Sequence, residues 1–341
     1  MNFHVVFRSS VANNTTIDWG DGITEVVGST STNVANNCYL HTYVSTGNYV
    51  IKLTVNEGTI ALIGSGTSTT DGYSIFGYRG NNISSANTNP ANKVRIKKVE
   101  LGDNISQIGQ SYFNCCYALE SVSIPNSLTN TEIGAYLFYY CYSLKGIVLP
   151  YGINNTNTYP FYYCRSMSNI SIPQTITTIN SYAFAYCNKI KEITIPNGVT
   201  SLSAYSLSNC DNLNSVILPD GVTVLNSNVF SNSMTLRYVR IPESLVSLGS
   251  SVFNYAYALQ KIDLPNLTTI GTSTFYYCYQ LKEFIMPIGI TTVSSSMFYY
   301  CYCLRSVKLH SAITSIGASA FYNCYNLMSI DIPNSVKTIG S

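Results

Sequence analysis

Cysteine is the residue type in this sequence with the widest chemistry, because a thiolate can attack a carbonyl, bind zinc or form a disulfide. The chain has 11 cysteines and 3 histidines, but no Cys-x-x-Cys pair, and the histidines are scattered. Most of the cysteines recur at one position of a repeat: Cys116, Cys141, Cys164, Cys187, Cys210, Cys278, Cys301 and Cys324. Ser233 and Ala256 take that position in two repeats, which suits packing and would leave a disulfide unmatched. We therefore predict buried, reduced thiols, no metal site and no cofactor.

Catalysis would need a nucleophile beside a base, a pair of carboxylates or a metal ion. The 16 carboxylates and 3 histidines are spread along 341 residues, and they form no cluster at one position of adjacent repeats. A glycine-rich phosphate loop is also missing from the sequence. We therefore predict no catalytic residue and no enzyme activity.

Two sets of side chains could instead bind a partner. Tyrosines recur at matching positions of successive repeats, namely Tyr139, Tyr142, Tyr162, Tyr276, Tyr279, Tyr299 and Tyr302. Charged and aromatic residues flank the inward positions of predicted strands, namely Glu192, Tyr238, Arg240, Lys261, Asp263, Glu283 and Lys308. Tyrosine gives a large contact area at low entropic cost, but it can also cover a core edge with its hydroxyl in water. The charged set fits a binding patch or a solvated face.

These residues belong to a repeat with a period of 23 residues, marked by an Ile/Leu-Pro pair. Its prolines are Pro125, Pro150, Pro173, Pro196, Pro219, Pro242, Pro265, Pro287 and Pro333, and Gly102 and His310 take the same position in two irregular repeats. One unit reads L-x-x-I-x-I-P-x-x-[VI]-T-x-I-x-x-x-x-F-x-x-C-x-x. The alternation in L-x-x-I-x-I predicts a parallel strand that the proline ends. The V-T-x-I segment predicts a second short strand, and x-x-x-F-x-x-C predicts a helical or 3-10 turn. Stacked units would bury a continuous core.

The repeat closely resembles the BspA-like leucine-rich repeats of bacterial and protist surface proteins. The match runs almost position by position from Ile172-Pro173 to Phe184 and Cys187, and the resemblance covers residues 96–341. It implies a mainly β solenoid at the cell surface or outside the cell. It also implies an adhesion or interaction function, with a protein or carbohydrate partner on a host or neighbouring cell.

The N-terminal residues 1–66 carry no repeat but alternate as strands do. The run Asp18-Trp19-Gly20-Asp21-Gly22, and His41-Thr42-Tyr43 followed by Gly47-Asn48-Tyr49, resemble signatures of PKD-like β-sandwich domains. The resemblance implies a small antiparallel β-sandwich module at 1–66, with 67–95 as a linker and irregular first repeat. We read Asp21-Gly22 as a hairpin turn and His41 as a packing or turn-bonding residue. A calcium site on Asp18 and Asp21 is the weaker alternative. The module can also cap the first repeat.

Composition narrows the remaining classes of function. Only 10% of residues are charged and the net charge is +2, so the sequence lacks the basic stripe of a nucleic-acid-binding protein. The sequence contains no run of 18 apolar residues, so we predict no membrane insertion. The sequence ends inside a repeat, at Ser341, which favours a piece of a longer protein. A virion component that contacts other virion proteins, such as a phage fibre, tail or capsid decoration protein, is the alternative to a surface adhesin.

Overall fold

The computed structural model of the protein consists of β-strands and turns. It describes residues 2–9, 12, 15–28, 38–42, 50–56, 60–62, 97–102, 105–128 and 132–341. The chain forms two compact units, Met1–Thr175 and Ile176–Ser341. The predicted linker at 67–95 and the Tyr43 and Gly47–Tyr49 part of the PKD-like signature lie outside the described residues.

The first strand of a repeat, here called the front strand, forms at the L-x-x-I-x-I stretch of most repeats and stacks in parallel, as predicted. No strand forms around Ile262 or Ile330. Within 176–341, Ile193 pairs with Val216 and Val216 with Val239, and all three side chains are buried. The residues on either side of them point outward, because successive side chains of a strand alternate between the two faces. The front strands are Lys98–Leu101, Ser121–Ser123, Gly146–Val148, Asn169–Ser171, Glu192–Thr194, Ser215–Ile217, Tyr238–Arg240, Glu283–Ile285 and Ser306–Lys308.

The second strand of a repeat, here called the back strand, forms at V-T-x-I in most repeats, which confirms the second extended segment there. Glu132 and Asn155 form only an isolated parallel bridge. Leu202 pairs in parallel with Leu225, and Leu225 with Leu248. All three side chains are buried, so the back strands close one side of the core, while Ser201, Val224 and Ser247 beside them are half-buried. The back strands are Ile105–Ile108, Thr178–Ile179, Ser201–Leu202, Val224–Leu225, Ser247–Leu248, Thr269–Ile270, Thr292–Val293, Ser315–Ile316 and Thr338–Ile339.

A column of phenylalanines fills the core beside the cysteine position. In the second unit, the rings of Phe230, Phe253, Phe275 and Phe298 stack face to face with centroids 5.6 to 5.8 Å apart, and none is exposed to solvent. Leu207 takes the same position in its own repeat and is equally buried. Each ring therefore packs against the repeats before and after it, and one repeat alone could not bury its own apolar face.

The segment before the cysteine forms turns, and the predicted helical or 3-10 character is wrong: residues 105–128 and 132–341 contain no helix. In the repeat around Phe184, the N–H groups of Ala183, Ala185 and Cys187 donate to the carbonyl three residues earlier. The alternate N–H groups donate to the next repeat instead, for example Phe184 to Ser206 at 2.9 Å. Tyr182 and Tyr186 have φ of 57° and 63°, in the left-handed region that ends a right-handed helix. Stacking thus takes half of the donors that a helix would need.

The N-terminal strands share both sheets with the first repeat. Val50–Val55 pairs in parallel with the front strand Lys98–Leu101, and Ile60–Leu62 pairs with the back strand Ile105–Ile108. Antiparallel partners extend these sheets outward. The N-terminal strands are Asn2–Ser9, Thr15–Asp18, Thr24–Val27, Cys38–Thr42, Val50–Val55 and Ile60–Leu62. They occupy the hydrogen-bonding edge that the first repeat would otherwise expose.

Candidate binding surfaces

The cysteine position is a packing position with a repeated hydrogen bond. The thiols of Cys141, Cys278 and Cys301 are buried and donate to the carbonyl of the preceding repeat's phenylalanine at 3.1 to 3.2 Å. The Ser233 hydroxyl makes the equivalent bond to Leu207 at 3.2 Å. Burial raises the pKa of the Cys210 thiol to about 12, so this position holds a neutral thiol and not a nucleophile. The prediction of a buried packing residue is confirmed at this position except for Cys324, which is half-buried.

Tyrosines form stacked columns that run from repeat to repeat. Tyr276 stacks on Tyr299 with centroids 4.6 Å apart, and Tyr279 stacks on Tyr302 at 4.8 Å. In the first unit, Tyr139 stacks on Tyr162 at 5.1 Å. In these pairs the ring planes differ by 5° to 11°, so each ring covers one face of its neighbour. The columns therefore offer ring edges and hydroxyls to solvent and leave few ring faces on which a sugar or base could stack.

The phenols in these columns remain neutral well above physiological pH. Burial and, after it, the nearby phenols of Tyr277 and Tyr299 together raise the pKa of Tyr276 to about 12. Burial and then neighbouring phenols also raise the pKa of Tyr279 and of Tyr302. A neutral phenol donates and accepts hydrogen bonds but makes a poor anionic metal ligand.

The predicted tyrosines differ in how much of the side chain is accessible. Tyr142, Tyr162, Tyr276, Tyr279, Tyr299 and Tyr302 are half-buried. Tyr139 is buried, so it contributes to packing and presents little contact area. In the first unit, the guanidinium of Arg165 lies 5.4 Å from the centroid of Tyr142 and 4.8 Å from that of Tyr163. Arg165 continues the column by a cation–π contact.

The front strands of the second unit, together with residues 261–263, where no strand forms, turn the predicted charged set outward, and we call this surface the front face, residues 192–308. Glu192, Tyr238, Lys261, Glu283, Arg240, Asp263 and Lys308 are all exposed. Arg240 bonds Asp220 at 2.8 Å and Lys261 bonds Asp263 at 3.0 Å. Such exposed ion pairs contribute at most about 1 kcal/mol each, so they orient side chains more than they stabilise the fold.

Sequence reasoning missed two isoleucines on the front face. Ile217 and Ile285 are 61% and 65% exposed and lie in register with Arg240 and Lys308, respectively. The signal was in the sequence: both occupy the last, outward position of the front strand, where neighbouring repeats carry Thr194, Arg240 or Asp263. Together with Tyr238 at 54% exposure, they give the face apolar as well as charged character.

The N-terminal turn is held by the residues that resemble a PKD-like signature. His41 is buried, stacks on Trp19 with centroids 4.7 Å apart, and bonds the Asp21 carboxylate through Nε2 at 2.8 Å. The N–H groups of Gly20 and Ile23 donate to Asp18 and Asp21. Burial tends to raise the pKa of Asp21, but the hydrogen bonds from His41 and Ile23 outweigh it and lower the pKa. The hairpin turn and the packing role of His41 are confirmed, and both carboxylates serve the turn.

Within the described residues, no group of three His, Cys, Asp or Glu side chains is placed to hold a metal ion. The described part of the chain also contains no helix that is long and apolar enough to cross a membrane.

The repeat matches a known family model, the BspA type leucine-rich repeat region, in 6 copies over residues 80–190, 131–260 and 231–341. The chain belongs to the BspA-type leucine-rich repeat family. The matched residues cover more than half of the chain. In this structure, the matched repeats stack and form the parallel front and back strands.

Two solved structures have a similar fold to this BspA-type chain. A leucine-rich repeat protein from Bacteroides ovatus is 24% identical with a TM-score of 0.64, over 88% of each chain. A leucine-rich repeat protein from Eubacterium ventriosum is 22% identical with a TM-score of 0.51, over 86% of this chain and 88% of its own. At these identities the similarity establishes the fold alone. The search of curated proteins found no match.

Proposed function

We propose that this protein is a non-enzymatic interaction protein of the cell surface that binds a protein partner through the front face. One observation carries the proposal: Ile217 and Tyr238 on two paired front strands, and Ile285 on a front strand farther along the unit, are exposed beside charged residues. Serine or threonine takes the outward position in other repeats, so folding does not require these large apolar groups. Exposed apolar side chains rimmed by charge are typical of protein contact sites.

The composition of the face favours a protein over a carbohydrate. Isoleucine side chains gain from burial against other apolar side chains, at about 25 cal/mol per Å². Lys191, Arg237, Lys282 and Arg305 border the face at the position just before each front strand, and all four are exposed. These cations would speed the approach of an acidic partner and make the association rate sensitive to salt. The tyrosine columns are the second candidate contact, through hydroxyls and ring edges.

The N-terminal segment has a separate role in this proposal. Its strands pair with the first front and back strands, which supports a capping role. We keep the PKD-like module at 1–66 as part of the proposal on the strength of the Asp18–Gly22 turn and its contact with His41. A module of this kind would space the repeats from the surface that carries them.

The test compares two variants of the full chain. The face variant carries Ile217→Ser, Tyr238→Ser and Ile285→Ser. The column variant carries Tyr276→Phe, Tyr279→Phe, Tyr299→Phe and Tyr302→Phe, which keeps the stacked rings and removes the hydroxyls. Binding is measured by interferometry against immobilised extracellular-matrix proteins and against a glycan array, with thermal unfolding as the control for folding.

We expect the wild type to bind at least one matrix protein, and the face variant to lose that binding with its unfolding temperature nearly unchanged. The column variant should bind as the wild type does. Loss of binding in the column variant alone would move the contact to the tyrosine columns. Binding to glycans alone, retained by the face variant, would contradict the protein-binding proposal.

A further inference from the structure

Ten tyrosine rings in the second unit form one connected network. They occupy three neighbouring columns, and every ring has another within about 6 Å, a spacing at which aromatic pairs interact. The members are Tyr255, Tyr257, Tyr276, Tyr277, Tyr279, Tyr299, Tyr300, Tyr302, Tyr322 and Tyr325. We call this set the tyrosine network. Packing of the core fixes Phe275 and Phe298 but does not by itself require so many phenols beside them.

The network joins successive repeats in a fixed register. Tyr277 stacks on Tyr300 with centroids 4.7 Å apart and planes 7° apart. Tyr299 in turn stacks on Tyr322 at 4.7 Å. Rings in different columns also touch, as Tyr299 and Tyr300 do at 4.8 Å. All three columns are at least partly exposed, and Tyr322 and Tyr325 are 48% and 71% exposed, so an oxidant in solution can reach the network.

We propose that the tyrosine network is a site of oxidative cross-linking, at which hydrogen peroxide and a haem peroxidase join neighbouring repeats through dityrosine bonds. Each of two phenols loses one electron and its hydroxyl proton, and the two phenoxyl radicals form a carbon–carbon bond between the ring positions ortho to oxygen. The two ortho hydrogens then move to the oxygens and restore both phenols. The pair loses two hydrogen atoms in all, and one peroxide is reduced to two waters.

Stacking selects which tyrosines couple. The radical formed on one ring lies in van der Waals range of a ring in the next repeat, so coupling within the chain competes with collision between chains. Because burial and neighbouring phenols raise the pKa of Tyr276, Tyr299 and Tyr302, these residues start as neutral phenols and release the proton to water as they are oxidised. The thiols of Cys278 and Cys301 are fully buried, which keeps them from the oxidant. The product is a set of covalent links between repeats that are otherwise joined by packing and backbone hydrogen bonds.

The sequence allows the links to be mapped. Trypsin cleaves after Lys261, Lys282, Arg305 and Lys308, so successive rows of the network fall on separate peptides, 262–282, 283–305 and 309–337. The purified chain is treated with peroxide and horseradish peroxidase at low protein concentration. Dityrosine fluorescence is measured, and the digest is analysed by mass spectrometry.

We expect the peptides 262–282 and 283–305 to be joined with the loss of two hydrogen atoms, and 283–305 and 309–337 likewise. A variant with Tyr299→Phe, Tyr300→Phe and Tyr302→Phe should lose both joined species and still unfold as the wild type does, because phenylalanine keeps the stacked rings. The matched control, Tyr238→Phe, removes an exposed tyrosine outside the network and should keep both.

Two results would overturn the proposal. One is oxidation that yields only hydroxylated tyrosine, or only links between chains through exposed residues such as Tyr151 and Tyr238. The other is an equal yield of the same joined peptides when the chain is oxidised in concentrated urea, since the stacked arrangement would then not select the partners.

Discussion

The buried thiols give the sharpest quantitative prediction. Cys210 is fully buried, donates to the Phe184 carbonyl at 3.3 Å, and has its pKa raised by burial to about 12. Thiol reagents react with the thiolate, and an ordinary cysteine has a pKa of about 8.5. At pH 8 an ordinary thiol is therefore about one quarter ionised, whereas Cys210 is ionised to about one part in 10⁴. The thiolate fraction alone slows labelling of Cys210 by about three orders of magnitude, before steric protection is added.

The assay is maleimide labelling at pH 8, followed by digestion and mass spectrometry of each cysteine peptide. Cys303 is half-buried and lies outside the cysteine position, so we expect it to label first. Cys324, whose pKa burial raises to about 11, should label more slowly than Cys303 and faster than Cys210. Because the pKa of Cys210 is raised, its thiolate fraction grows about tenfold per pH unit up to about pH 12.

The control is the same labelling in concentrated urea, where the three thiols should react at similar rates. If Cys210 labels in the native state as fast as Cys303, the thiol is not buried and neutral, and the packing account is wrong. If native Cys210 is unreactive and the intact mass shows that it is in a disulfide, the packing account also fails, since the hydrogen bond to the Phe184 carbonyl needs the thiol proton.

Three further predictions concern stability. Phe253→Ala removes a ring stacked between two neighbours and should cost about 3–5 kcal/mol of unfolding free energy in chemical denaturation. Phe253→Leu should cost only about 1–1.5 kcal/mol, because Leu207 already fills the same position in its own repeat. Equal costs for the two variants would mean that the column is not tightly packed. Gly271→Ala would place its Cβ in steric overlap with the backbone nitrogen of Ser250, so we expect a loss of about 1–3 kcal/mol of unfolding free energy. An unchanged denaturation midpoint would show that the neighbouring turn shifts freely. Deleting residues 220–242, one full period, should leave a folded protein with native-like circular dichroism, because each repeat contacts only its neighbours. Global unfolding of this variant would argue against a solenoid.

Sequence periodicity was sufficient for the repeat and for the location of its strands. Residues that recur every 23 positions must meet the same environment, so Ile193, Val216 and Val239 had to be buried in line, and they are. The same reasoning identified the cysteine position as a packing position, because Ser233 and Ala256 can replace cysteine only where size matters most. Local patterns also sufficed for the N-terminal hairpin, whose turn residues have few alternatives.

Other features depend on contacts between repeats, and no single repeat encodes them. The turns before each cysteine are not helical because their alternate N–H groups donate to the following repeat, a competition that a local pattern does not reveal. The tyrosine columns stack because parallel pairing holds equivalent rings about 5 Å apart, which is the spacing of adjacent strands.

The sequence by itself determined the period, the inward residues, the two strands of the repeat unit and which residues occupy the cysteine position. Each of these follows from a hydrophobic pattern that is repeated many times. Only the tertiary structure decided that tyrosine faces are covered, that Ile217 and Ile285 join the charged front face, and that the N-terminal strands continue both sheets of the first repeat. The reason is physical: alternation sets which way a side chain points, whereas its neighbours across repeats are set by the register of backbone hydrogen bonds.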